Sequence, residues 1–380
     1  MRTDKFSVAA ALGVLAVAAA SPASAADPWF QPYQSTTIPN GAGPGPAPRG
    51  SASADFTGDG RPDVVTIGNF SYGNILLVPN TGNGTFGATS EIADTTQTQG
   101  LDVGDVNGDG KADVVAMTTS EVRIKLGNGA GGFTSGGTYP LTLGGQVEPR
   151  VLDLDRDGDL DIVAPTFTAI QTLLNTGSGA FVSGPTTQVP GAGVISAIDP
   201  ARLDADGKPD LFAVDGFSGT TFALRGTGTG AFTVFGQLYA TGLVPEDISA
   251  IDLNGDGFDD AAVVGSFSFT LATGLTNGSG AFTSSVANSY QFGGPGPTSA
   301  TAADLDRDGR KDLVVSSLAT PAPQLTVLAG NGTPGMSKVG DFPVGVAPQN
   351  PVIADFTGDG RLDIVTAGPG ALSLLRNSTP

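Results

Sequence analysis

Seven short acidic loops carry the residues whose types and spacing could bind a metal ion. They follow the pattern D-x-[DNT]-x-D-G-x-x-D, begin at residues 55, 105, 153, 202, 252, 304 and 355, and so recur every 48 to 52 residues. Alternate side chains of a tight loop converge on one centre, the glycine at position six permits the turn, and the carbonyl at position seven can complete the shell. Oxygen donors without nitrogen or sulfur favour Ca²⁺ over transition metals. The pattern therefore predicts calcium sites.

The predicted ligands are the side chains at positions one, three, five and nine and the main-chain carbonyl at position seven, and they would hold about six Ca²⁺ ions. They are Asp55, Thr57, Asp59, Arg61 and Asp63; Asp105, Asn107, Asp109, Lys111 and Asp113; Asp153, Asp155, Asp157, Asp159 and Asp161; Asp204, Asp206 and Asp210; Asp252, Asn254, Asp256, Phe258 and Asp260; Asp304, Asp306, Asp308, Arg310 and Asp312; and Asp355, Thr357, Asp359, Arg361 and Asp363.

The fourth loop departs from the pattern because Arg202 stands where the other six loops have aspartate. We expect this site to be empty or weakened, with the Arg202 guanidinium bridging one of the loop's remaining aspartates. Thr57 and Thr357 at position three are neutral donors. Loops one and seven should therefore bind Ca²⁺ more weakly than loops three and six, which have aspartate at all four side-chain positions.

The alternatives to a short calcium loop are an Asx turn and an EF-hand. A single loop of this kind could be a solvent-exposed Asx turn without a metal ion, but most of the 37 acidic residues lie in the seven loops. Three or four neighbouring carboxylates cannot all stay ionised without a cation. An EF-hand requires glutamate at position twelve, where the first three loops have Thr66, Ala116 and Ala164.

The elements that must position these loops are short strands. In the first copy the loop leads into Val64-Val65, a second apolar strand follows at Ile75 to Val78, and a glycine turn over 80–86 ends in phenylalanine. Each copy of about 50 residues thus holds about four strands separated by Gly, Asn and Asp turns. Four-stranded units repeated seven times predict an all-β fold, a seven-bladed β-propeller over residues 27–380.

The two ends of the chain favour a closed ring over a linear β-solenoid. The seventh copy stops near Leu374-Leu375 without a glycine turn or a fourth strand, and the segment around Trp29-Phe30 lies upstream of the first loop. Solenoids need atypical caps at their ends, whereas ring closure removes exposed edges. We expect the N-terminal strand to complete the last blade.

Composition excludes several classes of chemistry. The 380 residues include no His and no Cys, which excludes a Ser-His-Asp triad, a Cys nucleophile, His-ligated zinc and disulfides. The net charge of −19 argues against nucleic acid and anionic membrane surfaces as partners. Nine acidic residues outside the metal positions form no catalytic motif: Glu91, Asp94, Glu121, Glu148, Asp199, Asp215, Glu246, Asp247 and Asp341.

Residues 1–26 have the parts of a secretory signal peptide. A basic start with Arg2 and Lys5 precedes an uncharged run from Phe6 to Ala20, and small residues around Ala25 offer a cleavage site. A membrane anchor is the alternative, but the run is shorter than the ~20 apolar residues that span a bilayer. We expect a secreted monomer without membrane insertion.

The acidic loop together with the N-x-G-x-G-x-F turn resembles the FG-GAP and VCBS repeats of the integrin α-subunit propeller and of secreted bacterial proteins. The resemblance covers nearly all of residues 27–380. It implies a seven-fold ring, with Ca²⁺ sites between the first two strands of each blade and partners docking on the opposite face. Some relatives are lectins, and others accompany polysaccharide lyases.

Aromatic residues at the turns between second and third strands suggest a binding face on the side away from calcium. The candidates are Phe70, Tyr72, Phe167, Phe217, Phe267 and Phe269. The alternative is that these rings pack between blades. The favoured function is a non-catalytic binding or adhesion module for an unidentified glycan or protein. The alternatives are a calcium-dependent, lyase-like polysaccharide-active enzyme and a structural envelope protein.

Overall fold

Thirty strands and no helix make up the part of the chain that the computed structural model describes. That part is residues 29–38, 50–68, 73–142, 147–239, 244–265, 270–279, 281–290, 296–318, 323–345, 348–368 and 370–379. The strands form seven antiparallel four-stranded sheets, called blades one to seven in chain order. The sequence prediction of a seven-bladed β-propeller is confirmed.

Each blade uses consecutive strands except where the ring closes. β1 (Gln34–Thr37) belongs to blade seven. Blade one contains β2 (Ser51–Ala54), β3 (Asp63–Ile67), β4 (Ile75–Val78) and β7 (Ser90–Ile92), with the hairpin β5 (Asn80–Gly82) and β6 (Thr85–Phe86) between its last two strands. Blade two contains β8 (Gly100–Gly104), β9 (Asp113–Met117), β10 (Glu121–Gly127) and β11 (Phe133–Pro140). Blade three contains β12 (Arg150–Leu152), β13 (Asp161–Pro165), β14 (Ala169–Asn175) and β15 (Phe181–Gln188). Blade four contains β16 (Ile195–Ala201), β17 (Asp210–Asp215), β18 (Thr220–Gly226) and β19 (Phe232–Tyr239). Blade five contains β20 (Pro245–Ile251), β21 (Asp260–Gly265), β22 (Thr270–Leu275) and β23 (Ser284–Ser289). Blade six contains β24 (Pro297–Ala303), β25 (Asp312–Ser317), β26 (Gln324–Ala329) and β27 (Ser337–Pro343). Blade seven contains β28 (Gln349–Ala354), β29 (Asp363–Gly368) and β30 (Ala371–Leu375), with β1 as its fourth strand.

The blades are arranged radially around their first strands. β2, β8, β12, β16, β20, β24 and β28 each contact the next, and β28 contacts β2 again. The second strands are buried on both faces, which explains their continuous apolar runs. Their side chains meet those of the neighbouring blade; one cluster, for example, joins Val163 of blade three to Leu211 of blade four. The core is therefore a set of layers between blades.

Position two of every acidic loop anchors that loop in these layers. The residue is always apolar and buried: Phe56, Val106, Leu154, Leu203, Leu253, Leu305 and Phe356. Phe56 packs against Phe133 of the next blade, with ring centroids 5.7 Å apart. Burial of this one side chain fixes where each loop sits.

The N-terminal segment closes the ring as the sequence predicts. β1 pairs with β30, placing Gln34 opposite Leu374. Ahead of it, Phe30 bridges Asn377 and packs edge-on against Phe342 of blade six at 5.0 Å. Phe30 therefore takes the place of the phenylalanine that ends the glycine turn in other blades. The two chain ends hold blade seven together.

Within the described residues, no helix is long and apolar enough to cross a membrane. The predicted signal peptide, residues 1–26, lies outside the described residues.

Candidate functional site

The seven acidic loops lie on one face of the propeller. Each connects the first strand of its blade to the second, and because the strands alternate in direction these seven connections emerge on the same side. The glycines at position six all have positive φ, between +74° and +96°. Only glycine adopts this backbone readily, so the loop turns where the sequence pattern requires it.

Position nine of each loop is a buried aspartate that joins the loop to its blade. In loop three, Asp161 Oδ2 accepts the N–H of Leu154 at 2.8 Å, and Oδ1 accepts the N–H of Asn175 on β14 at 2.7 Å. In every blade the position-nine aspartate accepts a main-chain N–H from the end of the third strand or just after it. These aspartates are Asp63, Asp113, Asp161, Asp210, Asp260, Asp312 and Asp363. These predicted ligands thus also clamp the loops.

Burial shifts the acidity of the position-nine carboxyls. It raises the pKa of Asp113, Asp161, Asp260 and Asp312 to about 6, although main-chain hydrogen bonds oppose the rise. Other carboxylates of the same loop raise these pKa values further. A divalent cation among the carboxylates would favour their ionised form. The electrostatics of the loops therefore suit a bound metal ion.

Loops three and six bring three carboxylate groups together. Oxygens of Asp153, Asp155 and Asp161 lie within 4.8 Å of one another, and so do oxygens of Asp304, Asp306 and Asp312. In loop six, Asp304 Oδ1 is buried without a hydrogen-bond partner in the described part of the chain. A buried oxygen of this kind needs a cation or a donor. These donors fit a hard cation such as Ca²⁺.

Loops one and seven offer a hydroxyl at position three. Thr57 Oγ1 and Thr357 Oγ1 are buried beside the carboxyls of Asp63 and Asp363, whose pKa values they help to lower, but they make no hydrogen bond of standard geometry. Burial dominates, so the pKa of both carboxyls is raised overall. These loops have one carboxylate fewer than loops three and six.

The side chain at position seven modulates the charge of several loops. Arg61, Lys111, Lys208, Arg310 and Arg361 each pair with the position-five aspartate of their own loop at 2.8 to 3.1 Å. Loop three has Asp159 at this position and loop five has Phe258. Loop three therefore has five aspartates, the most of the seven loops, and no cation at this position.

The fourth loop has a cation, but not the expected one. Asp204 is in ionic contact with Arg225, which projects from the third strand, β18. The Arg225 guanidinium also lies 4.3 Å from the ring centroid of Phe235 on β19. The expectation that Arg202 would bridge the loop's own aspartates is wrong.

Arg202 instead joins loop four to loop five. Its guanidinium lies 5.4 Å from the ring centroid of Phe258, and the main-chain N–H of Arg202 donates to Asp259 Oδ2 at 2.8 Å. Because Arg202 begins the loop, its side chain extends along the surface toward the next blade. The aromatic ring at position seven of loop five supplies the contact.

Two of the six aromatic candidates lie within the described residues. Phe167 and Phe217 are 44% and 86% exposed, so neither ring is buried between blades. Both occupy turns between second and third strands, on the face opposite the acidic loops. Four candidates, Phe70, Tyr72, Phe267 and Phe269, lie outside the described residues.

A buried carboxylate supports the backbone beneath Phe217. Asp215 accepts the N–H groups of Gly193, Val194 and Phe217 at 2.8 to 3.0 Å and the hydroxyl of Ser218 at 2.7 Å. Burial alone would raise the pKa of Asp215, but these hydrogen bonds lower it below its usual value. Asp215 thus ties the turn bearing Phe217 to the connection that enters blade four. From the sequence, Asp215 is only one of the acidic residues outside the metal positions, with no predicted role.

A match between the chain and a protein-family model identifies the repeat family. The model described as FG-GAP-like repeat matches residues 55–116, 105–164, 153–213, 202–263 and 252–315, which together span 55–315. The chain belongs to the FG-GAP-like repeat family. This confirms the resemblance drawn from the acidic loops and glycine turns.

Solved structures similar to this FG-GAP-like repeat chain share its fold at low identity. BBS1N, crystallised in complex with ARL6DN, is 12% identical with a TM-score of 0.64, covering 93% of this chain and 98% of its own. A lectin from Agrocybe aegerita that recognises non-reducing terminal N-acetylglucosamine is 19% identical with a TM-score of 0.57, covering 93% and 96%. Virginiamycin B lyase from Staphylococcus aureus is 16% identical with a TM-score of 0.58, covering 91% and 99%. Comparison with curated proteins gave no match.

The FG-GAP-like repeats also surround a polar central cavity of about 310 Å³ that the sequence did not indicate. In three blades an aspartate of the first strand accepts an N–H from the first strand of the next blade at 2.8 to 2.9 Å: Asp102 from Val151, Asp199 from Ala250 and Asp247 from Ala300. Burial raises the pKa of Asp102 to about 6 and that of Asp247 to about 7. These bonds tie neighbouring blades together.

Proposed function

We propose that this chain is a secreted, calcium-binding β-propeller that acts as a non-catalytic binding module for a glycan or protein ligand. Export is inferred from residues 1–26, with their basic start, apolar run and small-residue cleavage site. Calcium is inferred from the carboxylates that converge in loops three and six and from the buried, unpartnered Asp304 Oδ1.

The observation that carries the binding function is Phe217, an aromatic ring exposed on the face opposite the acidic loops. Exposed aromatic faces stack on sugar rings and anchor protein partners. Asp215 fixes the backbone beneath this ring, so it is presented from an ordered turn. The propeller lectin of similar fold that recognises N-acetylglucosamine, and BBS1N in its complex with ARL6DN, make a glycan or a protein a reasonable ligand class.

The function is tested by screening the mature, calcium-loaded chain against arrays of glycans and of extracellular proteins. Phe217→Ala should lose binding to the ligand found and keep the melting temperature within a few degrees. Val182→Ala, an exposed apolar residue on the outer strand β15, is the matched control and should keep both. A large loss of stability in Phe217→Ala with unchanged binding would contradict the proposal. Release of cleavage products from a bound polysaccharide would contradict the absence of catalysis.

A further inference from the structure

A pocket of about 450 Å³ between blades one and two brings together two of the chain's 18 basic residues. Arg123 and Lys125 are two residues apart on β10 and therefore lie on the same face of that strand. The hydroxyl-bearing side chains of Thr96, Ser135 and Thr138 contribute to the walls. Two basic side chains and three hydroxyl groups thus line one pocket of a chain with a net charge of −19, together with the carboxylate of Asp94.

Lys125 occupies a position that the other blades fill with a nonpolar residue. It lies opposite Val114, the first residue after position nine of its loop. The residues at the same register in the other six blades are Val78, Leu173, Leu224, Gly274, Leu328 and Leu375. Lys125 is only 5% exposed. A buried ammonium group is costly unless an anion or several hydrogen bonds compensate it.

The chain itself compensates this ammonium poorly. Within the described residues, the carboxylate closest to Lys125 Nζ is Asp94 Oδ2 at 3.7 Å, beyond hydrogen-bond distance. The Asp94 side chain is 89% exposed, so the pair is weak and its carboxylate can be displaced. Arg123 Nε is paired with Glu121 at 2.6 Å and Nη1 with the carbonyl of Thr96 at 2.7 Å. Its Nη2 donors have no partner in the described part of the chain.

We propose that this pocket binds the anionic group of an acidic sugar residue, a carboxylate or a sulfate. Lys125 and the Nη2 group of Arg123 would hold the anion, while the threonine and serine hydroxyls would meet the sugar's hydroxyl groups. The bound anion would displace the carboxylate of Asp94 from its position beside Lys125. The inference rests on the glycan branch of the proposed function and adds a ligand class and a second site, on the side of the ring between two blades.

The test is calorimetric titration of the full mature chain, loaded with Ca²⁺, with four probes. The probes are an oligogalacturonate, a sulfated oligosaccharide, a neutral oligosaccharide of equal length and sodium sulfate. We expect at least one acidic oligosaccharide to bind and the neutral one to bind at least tenfold more weakly. The choice between oligogalacturonate and sulfated sugar identifies the source of the anion. Sodium sulfate binding as tightly as the sulfated sugar would overturn the assignment to a sugar.

Lys125→Leu is the decisive variant because leucine is the residue at this register in four of the other six blades. It should reduce the affinity for the acidic oligosaccharide at least tenfold while the melting temperature stays the same or rises. Arg123→Gln should weaken binding in the same way, and Asp94→Asn should strengthen it several-fold. The control variant Lys338→Leu removes one positive charge from the outer strand β27 and should leave the affinity for the acidic oligosaccharide unchanged.

Two results would overturn the proposal. One is the absence of binding by both acidic oligosaccharides, and the other is binding that Lys125→Leu leaves intact. Neither result would contradict the proposed function, because that proposal depends on the face that bears Phe217 and is tested with Phe217→Ala. Loss of ligand retention in Phe217→Ala with an intact response to Lys125→Leu would show two separate sites.

Discussion

At the scale of single residues, the position-nine aspartates combine a predicted role with an observed one. Each is predicted to offer an oxygen to a Ca²⁺ ion, and each accepts main-chain N–H groups from its own loop and from beside the third strand. The sequence pattern predicted the first role from spacing alone. The second could not be predicted, because the N–H partner lies 14 to 18 residues away in the sequence and its position depends on the completed blade.

Asp161→Asn and Asp210→Asn separate these roles. An asparagine retains one acceptor oxygen, so both variants should lose about 1–2 kcal/mol of stability from the broken clamp. Asp161→Asn should lose a further ~1–2 kcal/mol in Ca²⁺ and one bound ion, because loop three is predicted to bind Ca²⁺ whereas the site in loop four is expected to be empty or weakened. Chemical denaturation with and without Ca²⁺ checks this. Equal calcium dependence in the two variants would show that Asp161 is not a ligand.

At the scale of elements, the repeat pattern predicts the strands and loops that all blades share, but it does not predict the role of a residue that differs in a single blade. The loop spacing predicted four strands per blade, and the position of Phe30 predicted ring closure. Arg225 and Lys125 were missed because each depends on how neighbouring strands or blades pack. Alignment of the seven repeats on their strand register would reveal Lys125 among leucines, and that register is visible only in the structure.

In the fourth loop, removing the arginine side chains should allow a Ca²⁺ ion to bind. Arg202→Asp alone restores the position-one ligand but leaves Arg225 against Asp204, so we expect no additional bound Ca²⁺. The double variant Arg202→Asp, Arg225→Leu removes this competing charge and should bind one more ion than the wild type. Calcium stoichiometry by calorimetry distinguishes them. An additional ion in the single variant would mean that Arg225 does not occupy the site.

The central cavity predicts an unusual pH dependence. The pKa of Asp247 is raised by burial and by Glu148 to about 7, against about 4 in the unfolded chain. The folded state therefore holds the proton more tightly, and this contribution to stability is complete below about pH 4 and is lost as the pH rises through 7. Asp247→Asn should lose less stability than the wild type between pH 5 and pH 8, by at most about 3 kcal/mol. Denaturation midpoints measured at both pH values, at constant Ca²⁺, test this; parallel losses would contradict it.

At the scale of the whole molecule, ring closure depends on the N-terminal segment. Deleting residues 29–38 removes β1 and Phe30, exposing the edge of β30 and the surface of Phe342. We expect aggregation or loss of a single cooperative transition, because blade seven is left with three strands. Scanning calorimetry and size-exclusion chromatography would show it. A deletion variant that melts like the full chain would show that closure does not stabilise the ring.

Six of the seven loops are predicted to bind Ca²⁺, and the bound ions would stabilise the whole ring. Extracellular calcium sites have Kd values of roughly 10⁻⁴–10⁻³ M, and each site at ten times its Kd adds about 1.4 kcal/mol. Six sites would thus add on the order of 8 kcal/mol, comparable to the stability of a whole domain. The direct measurement is calorimetric titration of the metal-free chain with Ca²⁺, combined with melting curves before and after chelation. We predict about six ions per chain, the tightest in loops three and six, and a large fall in melting temperature on chelation. Fewer than four ions, or a melting temperature that chelation leaves unchanged, would contradict it.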